Sequence, residues 1–312
     1  MARNPPGAKP RGRKGGGPST PKLLGWAAAA LVLGLGVGQL LGHLGCERKP
    51  SKPRPSPESG TRSPEPKPHR REAPKPEPRE PEAGIRKPVE TEPALPKFAL
   101  IIDDLGYMDP ALVKRLCQEP VPFSAAVLPY QEHTKESAGI VHAAGKEVML
   151  HLPMEGRADK DPGPDALRFD LGEAEIRART RKALADVPYI EGANNHMGSR
   201  MTSDEERMHW VLEEFQGRRL FFVDSRTTAA TVGWKVAGEL GIPTVQRNVF
   251  LDDDKAFPEI EKQWKRALGI AKKDGQVVVI GHIYPETVEA LEKLIPETKG
   301  QVRFVKASEV VR

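Results

Sequence analysis

The stretch FALIIDDLG (98–106) decides the fold. Phe98 to Ile102 are all apolar, and the run stops at Asp103-Asp104 before a glycine. A short unbroken apolar run reads as a strand buried on both faces, whereas a half-exposed strand would alternate. The same form recurs in FSAAVLP (123–129), EVMLHLP (147–153), YIEGANNH (189–196), LFFVDS (220–225), PTVQRNVF (243–250) and QVVVIGH (276–282). Helical periodicity lies between these runs, over 109–119, 131–144, 173–186, 203–215, 229–240, 256–273 and 285–294. Ser203 with Glu206 three places on reads as a capping box. VRFVKASEV (302–310) closes the series. Strands alternating with helices imply an α/β fold with a parallel sheet covered on both faces. Seven to eight such units predict a closed or nearly closed (β/α) barrel, with an open doubly wound sheet as the alternative. LGYMDP follows the first strand, so no glycine-rich phosphate loop is present and nucleotide binding is not expected.

Composition separates this region from what precedes it. Of the 31 prolines, 19 lie in residues 1–96, so that third is too proline-rich to pack a core. Residues 1–96 hold 18 Lys and Arg against 9 Asp and Glu, whereas 97–312 hold 30 against 34. The basic balance belongs to the tail, and the domain over 97–312 has no surplus of basic charge for nucleic acid. Only Cys117 falls within the domain, so neither a disulfide framework nor a cysteine-based zinc site is available there.

Residues 1–22 are basic, and the uncharged run LLGWAAAALVLGLGVGQLL (23–41) follows. As a helix it rises about 28 Å, enough to span a bilayer core. Residues 23–45 are therefore expected to be a transmembrane signal anchor in a bacterial inner membrane. The positive flank predicts a cytoplasmic N-terminus and a periplasmic or extracellular domain. A cleaved signal peptide, or a lipid attached to Cys46, is the alternative. Residues 46–96 alternate proline with charge and read as an extended linker, on the order of 150 Å at full reach.

The strand ends carry the chemistry. Strand one ends in Asp103-Asp104 and strand three in His151, with Glu155 four places on. Strand four ends in Asn194-Asn195-His196 and strand five in Asp224-Ser225-Arg226. Strand six carries Arg247 with Asp252 just beyond, and strand seven ends in His282. In parallel barrels such ends converge on one mouth. A lone aspartate there is often a helix cap, and Asp252-Asp253-Asp254 reads as a solvated turn. Histidines and carboxylates together suit zinc or a similar divalent ion, which activates water and polarises a carbonyl. No serine elbow competes, because G-x-S-x-G is absent.

As a set in this order, FALIIDDLG, VMLHLPMEG, ANNHMGSRMT, FFVDSRT and VVVIGH resemble the divergent polysaccharide deacetylases over about 97–312. The resemblance implies a distorted barrel that removes acetyl groups from an N-acetylated carbohydrate. It implies Asp103 as catalytic base, Asp104 and His151 as metal ligands, His282 as general acid and Asp224 as an orienting acid. The family pattern places a second metal histidine where Glu155 stands. His196 is the expected replacement, with Glu155, Asn195, Arg226 and Arg247 as further candidates. The expected cofactor is a divalent metal, zinc first. The expected partners are peptidoglycan or another envelope glycan, the membrane, and cell-wall proteins. A catalytically weak scaffold binding glycan or cell-wall protein is the alternative function. Tyr107, Tyr130 and Tyr284 are candidates for stacking on a sugar.

Overall fold

A computed structural model of the chain describes residues 94–157 and 160–312. The basic tail, the expected membrane span and all of the expected linker but Ala94–Pro96 lie outside the described residues. The elements run β1 (Lys97–Leu105), α1 (Pro110–Leu116), β2 (Ser124–Val127), α2 (Thr134–Ala143), β3 (Glu147–Met154), α3 (Glu173–Asp186), β4 (Ile190–Met197) and α4 (Glu205–Leu212). They continue with β5 (Phe221–Asp224), α5 (Gly233–Glu239), β6 (Thr244–Gln246), β7 (Val249–Phe250), α6 (Phe257–Asp274), β8 (Gln276–His282), α7 (Pro285–Glu297) and β9 (Arg303–Val305).

All strand pairs are parallel, in the order β6-β5-β4-β3-β2-β1-β8-β7, with β9 beside β1. The single strand expected over 243–250 is in fact two. β6 pairs with β5, and β7 pairs with β8 at the other edge of the sheet. The chain crosses between them at two residues. The Arg247 N–H donates to the Asp224 carbonyl at 3.0 Å, and the Asn248 N–H to that of Val278 at 2.9 Å. Both edges therefore come from one short segment, and the sheet curls round on itself rather than lying open.

The curl sorts side chains by parity. Successive strand residues point to opposite faces. Ala99, Ile101, Ala126, Met149, Phe221, Val223, Val278 and Ile280 pack with Ala307 and Val310 in a core that contains no α-helix residue. This is the lumen. Phe98, Leu100, Ile102, Leu150, Leu152 and Val279 face outward and pack under the helices. On α6, Ile260, Trp264, Ala267 and Ala271 form the buried stripe, and Trp264 packs on Phe98 with ring centroids 4.8 Å apart. Truncating such an aromatic costs about 3–5 kcal/mol. Gly192 lies near the lumen floor, where an added Cβ would stand 2.5 Å from the Phe221 ring. Only glycine leaves room for that ring.

The cap of α4 differs from expectation. Met201–Ser203 form a 3-10 turn, and Asp204 caps α4 by accepting from the Arg207 N–H at 2.9 Å. The tight turn consumes Ser203, whose hydroxyl donates back to the Arg200 carbonyl.

Candidate metal centre and active site

The lumen rows end in polar residues at the C-terminal mouth. On β1 the row Ala99, Ile101 ends at Asp103, and on β8 the row Val278, Ile280 ends at His282. These two ends are register partners. β3 continues from Met149 to His151, and β4 contributes Asn194 and His196, two apart and on one face.

Asp104 breaks this parity, because alternation would send it outward. Its φ is +66°, and the register of β1 against β2 slips between Ile102 and Leu105. A left-handed residue at a strand irregularity re-aims a side chain. Asp104 Oδ1 thereby lies 3.1 Å from His151 Nε2 and 3.0 Å from His196 Nδ1, and the two ring nitrogens are 3.1 Å apart. Among the described residues these three form a buried group able to hold a metal ion.

The donor set fits a cation. Asp104 Oδ1 is buried and accepts no hydrogen bond of good geometry, although two ring nitrogens stand beside it. The nitrogens therefore do not aim N–H groups along the lines to the oxygen. Ligand atoms that share one ion at about 2.0–2.1 Å stand about 3 Å apart, as these do. His151 Nδ1 lies 2.6 Å from Asn194 Oδ1, the outer hydrogen bond that fixes a ligating imidazole. Asn194 Nδ2 in turn donates to Asp103 Oδ1 at 2.8 Å.

Charge is divided within the cluster. Burial alone would raise the Asp104 carboxyl, but His151 and His196 outweigh it and hold the group well below the usual carboxylate range. Asp103 goes the other way. Burial raises it, against the pull of His151, His282 and Asn194, and Asp104 adds to the rise. His282 donates from its backbone N–H and approaches with Nδ1 the buried carboxylate of Asp252, at 2.7 and 2.8 Å. Burial opposes its charge, but Asp252, Asp103 and Asp104 prevail and raise the imidazole to about 9. The mouth thus holds an elevated carboxyl and an elevated imidazole around one candidate cation site.

A model of the divergent polysaccharide deacetylases matches residues 100–311. The chain belongs to that family. Two relatives cover most of the domain. It is 36% identical over 215 residues to the uncharacterised protein YibQ of Escherichia coli, covering 69% of this chain and 67% of that one. It is 31% identical over 211 residues to an uncharacterised protein of Haemophilus influenzae, covering 67% and 74%. An uncharacterised protein of Agrobacterium tumefaciens has the same fold, with TM-score 0.65, 21% identity, and 71% and 91% of the two chains covered.

Glu155, which stands where the resemblance places a second metal histidine, has other partners. It lies just past β3, outside the cluster. Its carboxylate accepts from Arg200 at 2.6 Å and from the Phe169 N–H at 2.8 Å. It anchors the loop that returns along β3 and is not a ligand to the site. His196 supplies the third donor instead. A groove of about 880 Å³ opens beside Glu155, lined with Arg168 and Arg200 among others. Those two cations already pair with Asp161 and Glu155.

Asp224 is also not at the mouth. It follows Val223 and so falls on the helix side of the sheet. Its oxygens accept from the Arg226 N–H, the Thr231 hydroxyl and the Trp234 N–H, at 2.9, 2.7 and 3.1 Å. It fixes the loop into α5. Asn195 likewise faces away and ties β4 to the Ser225 N–H at 2.9 Å. Arg226 is exposed, with φ +48°. Arg247 donates to the carbonyls of Ser225 and Arg226, at 2.6 and 2.9 Å, and braces that loop. Tyr107 and Tyr284 border the site, where after burial the Asp104 charge raises both phenols, Tyr284 to about 12. Tyr130 lies elsewhere, with its ring beneath Lys182.

Two residues that the sequence reading named at strand ends, but gave no role, stand inside the cluster. Asp252 is buried beside His282, whereas Asp253 and Asp254 are exposed. Asn194 is fully buried between His151 and Asp103. The alternation along β4, which puts Asn194 on the face of His196, was the available signal. A second group, Glu205, His209 and Glu239, is largely exposed, and Lys235 pairs with both glutamates. An ammonium is already the cationic partner of both carboxylates.

Proposed function

We propose that the chain is a metal-dependent hydrolase that removes acetyl from an N-acetylated carbohydrate of the bacterial envelope. The observation that carries this reading is the convergence, at one mouth, of a three-donor cation site with a buried carboxylate and a carboxylate-backed imidazole. A divalent cation held by Asp104, His151 and His196 supplies Lewis-acid chemistry, easing deprotonation of water and polarising an acyl carbonyl. Asp103 takes the proton from the attacking water. His282, kept protonated by Asp252, gives a proton to the leaving nitrogen. The products are acetate and a free amine. Tyr107 and Tyr284 border the space where the sugar ring would lie.

The donor set of two imidazoles and a carboxylate makes zinc the first expectation. The apolar run at 23–41 with its basic flank supports an anchor that keeps the domain outside the inner membrane, with peptidoglycan or another wall glycan in reach. The scaffold alternative drew on the missing second histidine, and His196 weakens that ground.

The test is metal content and acetate release by the full-length chain, purified without a histidine tag, on N-acetylated oligosaccharides. About one divalent ion per chain is expected. Asp104→Ala and His196→Ala should each lose both the ion and the acetate release. A wild-type chain that takes up no divalent ion on titration sinks the mechanism.

A further inference from the structure

We infer that Asn194 is a positioning residue whose single amide both orients the proposed base Asp103 and selects the ligating nitrogen of His151. The inference rests on the hydrolase reading above. Asn194 is fully buried on β4, in the row that ends at His196. It has only two side-chain partners among the described residues, and both belong to the site. Nδ2 donates to Asp103 Oδ1 at 2.8 Å, and Oδ1 faces His151 Nδ1 at 2.6 Å.

The amide's polarity makes these two contacts interdependent. A base must be ionised to act, and an ionised carboxylate only accepts hydrogen bonds. Asp103 therefore claims the NH₂ end of the amide. The carbonyl end is left for His151, so Nδ1 must carry the ring proton. In the neutral ring Nε2 then keeps its lone pair, and Nε2 is the nitrogen 3.1 Å from Asp104 Oδ1. The opposite amide orientation would set oxygen against oxygen at Asp103 and hand His151 a donor. That would favour the tautomer whose proton blocks the cation site. Base orientation and metal readiness thus share one residue.

The tautomer is read directly by nitrogen-15 NMR of the metal-free full-length chain, at a pH high enough for the His151 ring to be neutral, with the His151 signal assigned by its loss in His151→Gln. The wild type should carry the proton on Nδ1. A wild type protonated on Nε2 overturns the inference, whatever the variants do. Zn²⁺ titration supplies the second readout. Asn194→Ala should mix the tautomers and weaken Zn²⁺ binding by about 10–100-fold. Asn194→Asp retains an acceptor for His151 but sets a second carboxylate against Asp103. It should keep the Nδ1–H tautomer and hold Zn²⁺ within about threefold, while acetate release falls by about tenfold or more. Merely structural damage would not separate these readouts. If Asn194→Ala retains the pure tautomer and wild-type Zn²⁺ affinity, the inference fails and the hydrolase reading stands. If the wild type binds no Zn²⁺ yet shows the Nδ1–H tautomer that Asn194→Ala loses, the hydrolase reading fails and the tautomer role of Asn194 stands.

Discussion

The two ends of the lumen hold the same kind of group and shift it in opposite directions. Glu147 begins the β3 row that continues through Met149 to His151, so one strand places a carboxylate at the floor and an imidazole at the mouth. At the floor the Ser124 hydroxyl donates to Glu147 Oε2 at 2.6 Å, and the Ser308 N–H does so at 3.2 Å. The Ala307 N–H donates to Ser124 Oγ at 2.9 Å, which seats residues 307–310 beneath the sheet. Each end leaves one buried carboxylate oxygen without a donor, Glu147 Oε1 and Asp104 Oδ1. What surrounds them differs. Burial raises the Glu147 carboxyl, against the hydrogen bonds from Ser124 and Ser308, and the nearby charge of Glu191 adds to the rise, so the floor favours the protonated form more than a free glutamate does. Two imidazoles hold Asp104 as an anion. Burial alone therefore does not make a site. A buried carboxylate becomes a ligand where cationic or metal-binding partners face it, and a hydrogen-bonding strut where they do not.

The sharpest break between the two ends should come from neutralising one carboxylate at each. Asp103→Asn keeps shape and removes the base, and turnover should fall by about 10²–10⁴-fold. Its resistance to denaturant should equal or exceed that of the wild type, because a carboxyl raised by burial is an unfavourable charge to bury. Glu147→Gln should release acetate at the wild-type rate. Equal losses in the two variants would abolish the distinction between mouth and floor.

The next effect is on pH. His282 is raised from 6.5 to about 9, so its acid form is present below about 9, and turnover should decline as pH rises through that value. The linkage has the same sign. Its pairing with Asp252 adds stability that is complete below about 6.5 and is lost as pH rises through about 9. Asp252→Asn removes the largest support for the charge. The alkaline limb should move towards 6.5, which at pH 8 lowers the protonated fraction by about 30-fold. A pH–rate profile checks this. A limb that stays in place would mean that His282 is not the acid.

Much of this was legible in the sequence, and what escaped it has a physical pattern. Unbroken apolar runs between helical segments carry the parallel sheet, because burial on both faces writes itself into composition. Asp103, Asp104, His151, His196 and His282 stand at strand ends, where the convergence of a parallel curl follows from topology. Asp224 was misplaced because its strand is apolar throughout, and such a run hides which parity faces the lumen. Asp252 looked like part of a solvated acidic turn. Its burial depends on the pairing of β7 with β8, brought about by the split of one expected strand at Arg247 and Asn248. Glu155 was weighed as a ligand because the resemblance places a metal histidine at its position. Its carboxylate turns towards Arg200 and the Phe169 N–H instead. Asn194 was given no role because an amide carries no charge, and its role lies in the direction of two hydrogen bonds.

The smallest effect tests the floor alone. Glu147 has a folded-state pKa above its ordinary 4.5. A raised acid contributes stability that is present below its unfolded value and is lost as pH rises through the folded value. The wild type should therefore lose some stability between acid and neutral pH from this one group. Glutamine mimics the protonated carboxyl at every pH, so Glu147→Gln should be flatter across that window and more stable than the wild type at pH 8. Ser124→Ala separates charge from hydrogen bonding. It strips the donor from Glu147 and the acceptor from the Ala307 N–H, and should cost about 1–3 kcal/mol. Denaturant unfolding at pH 5 and pH 8 reads both. If Glu147→Gln is less stable than the wild type at pH 8, the carboxylate at the floor is ionised and paired after all. The two ends of the lumen would then hold their charges in the same way.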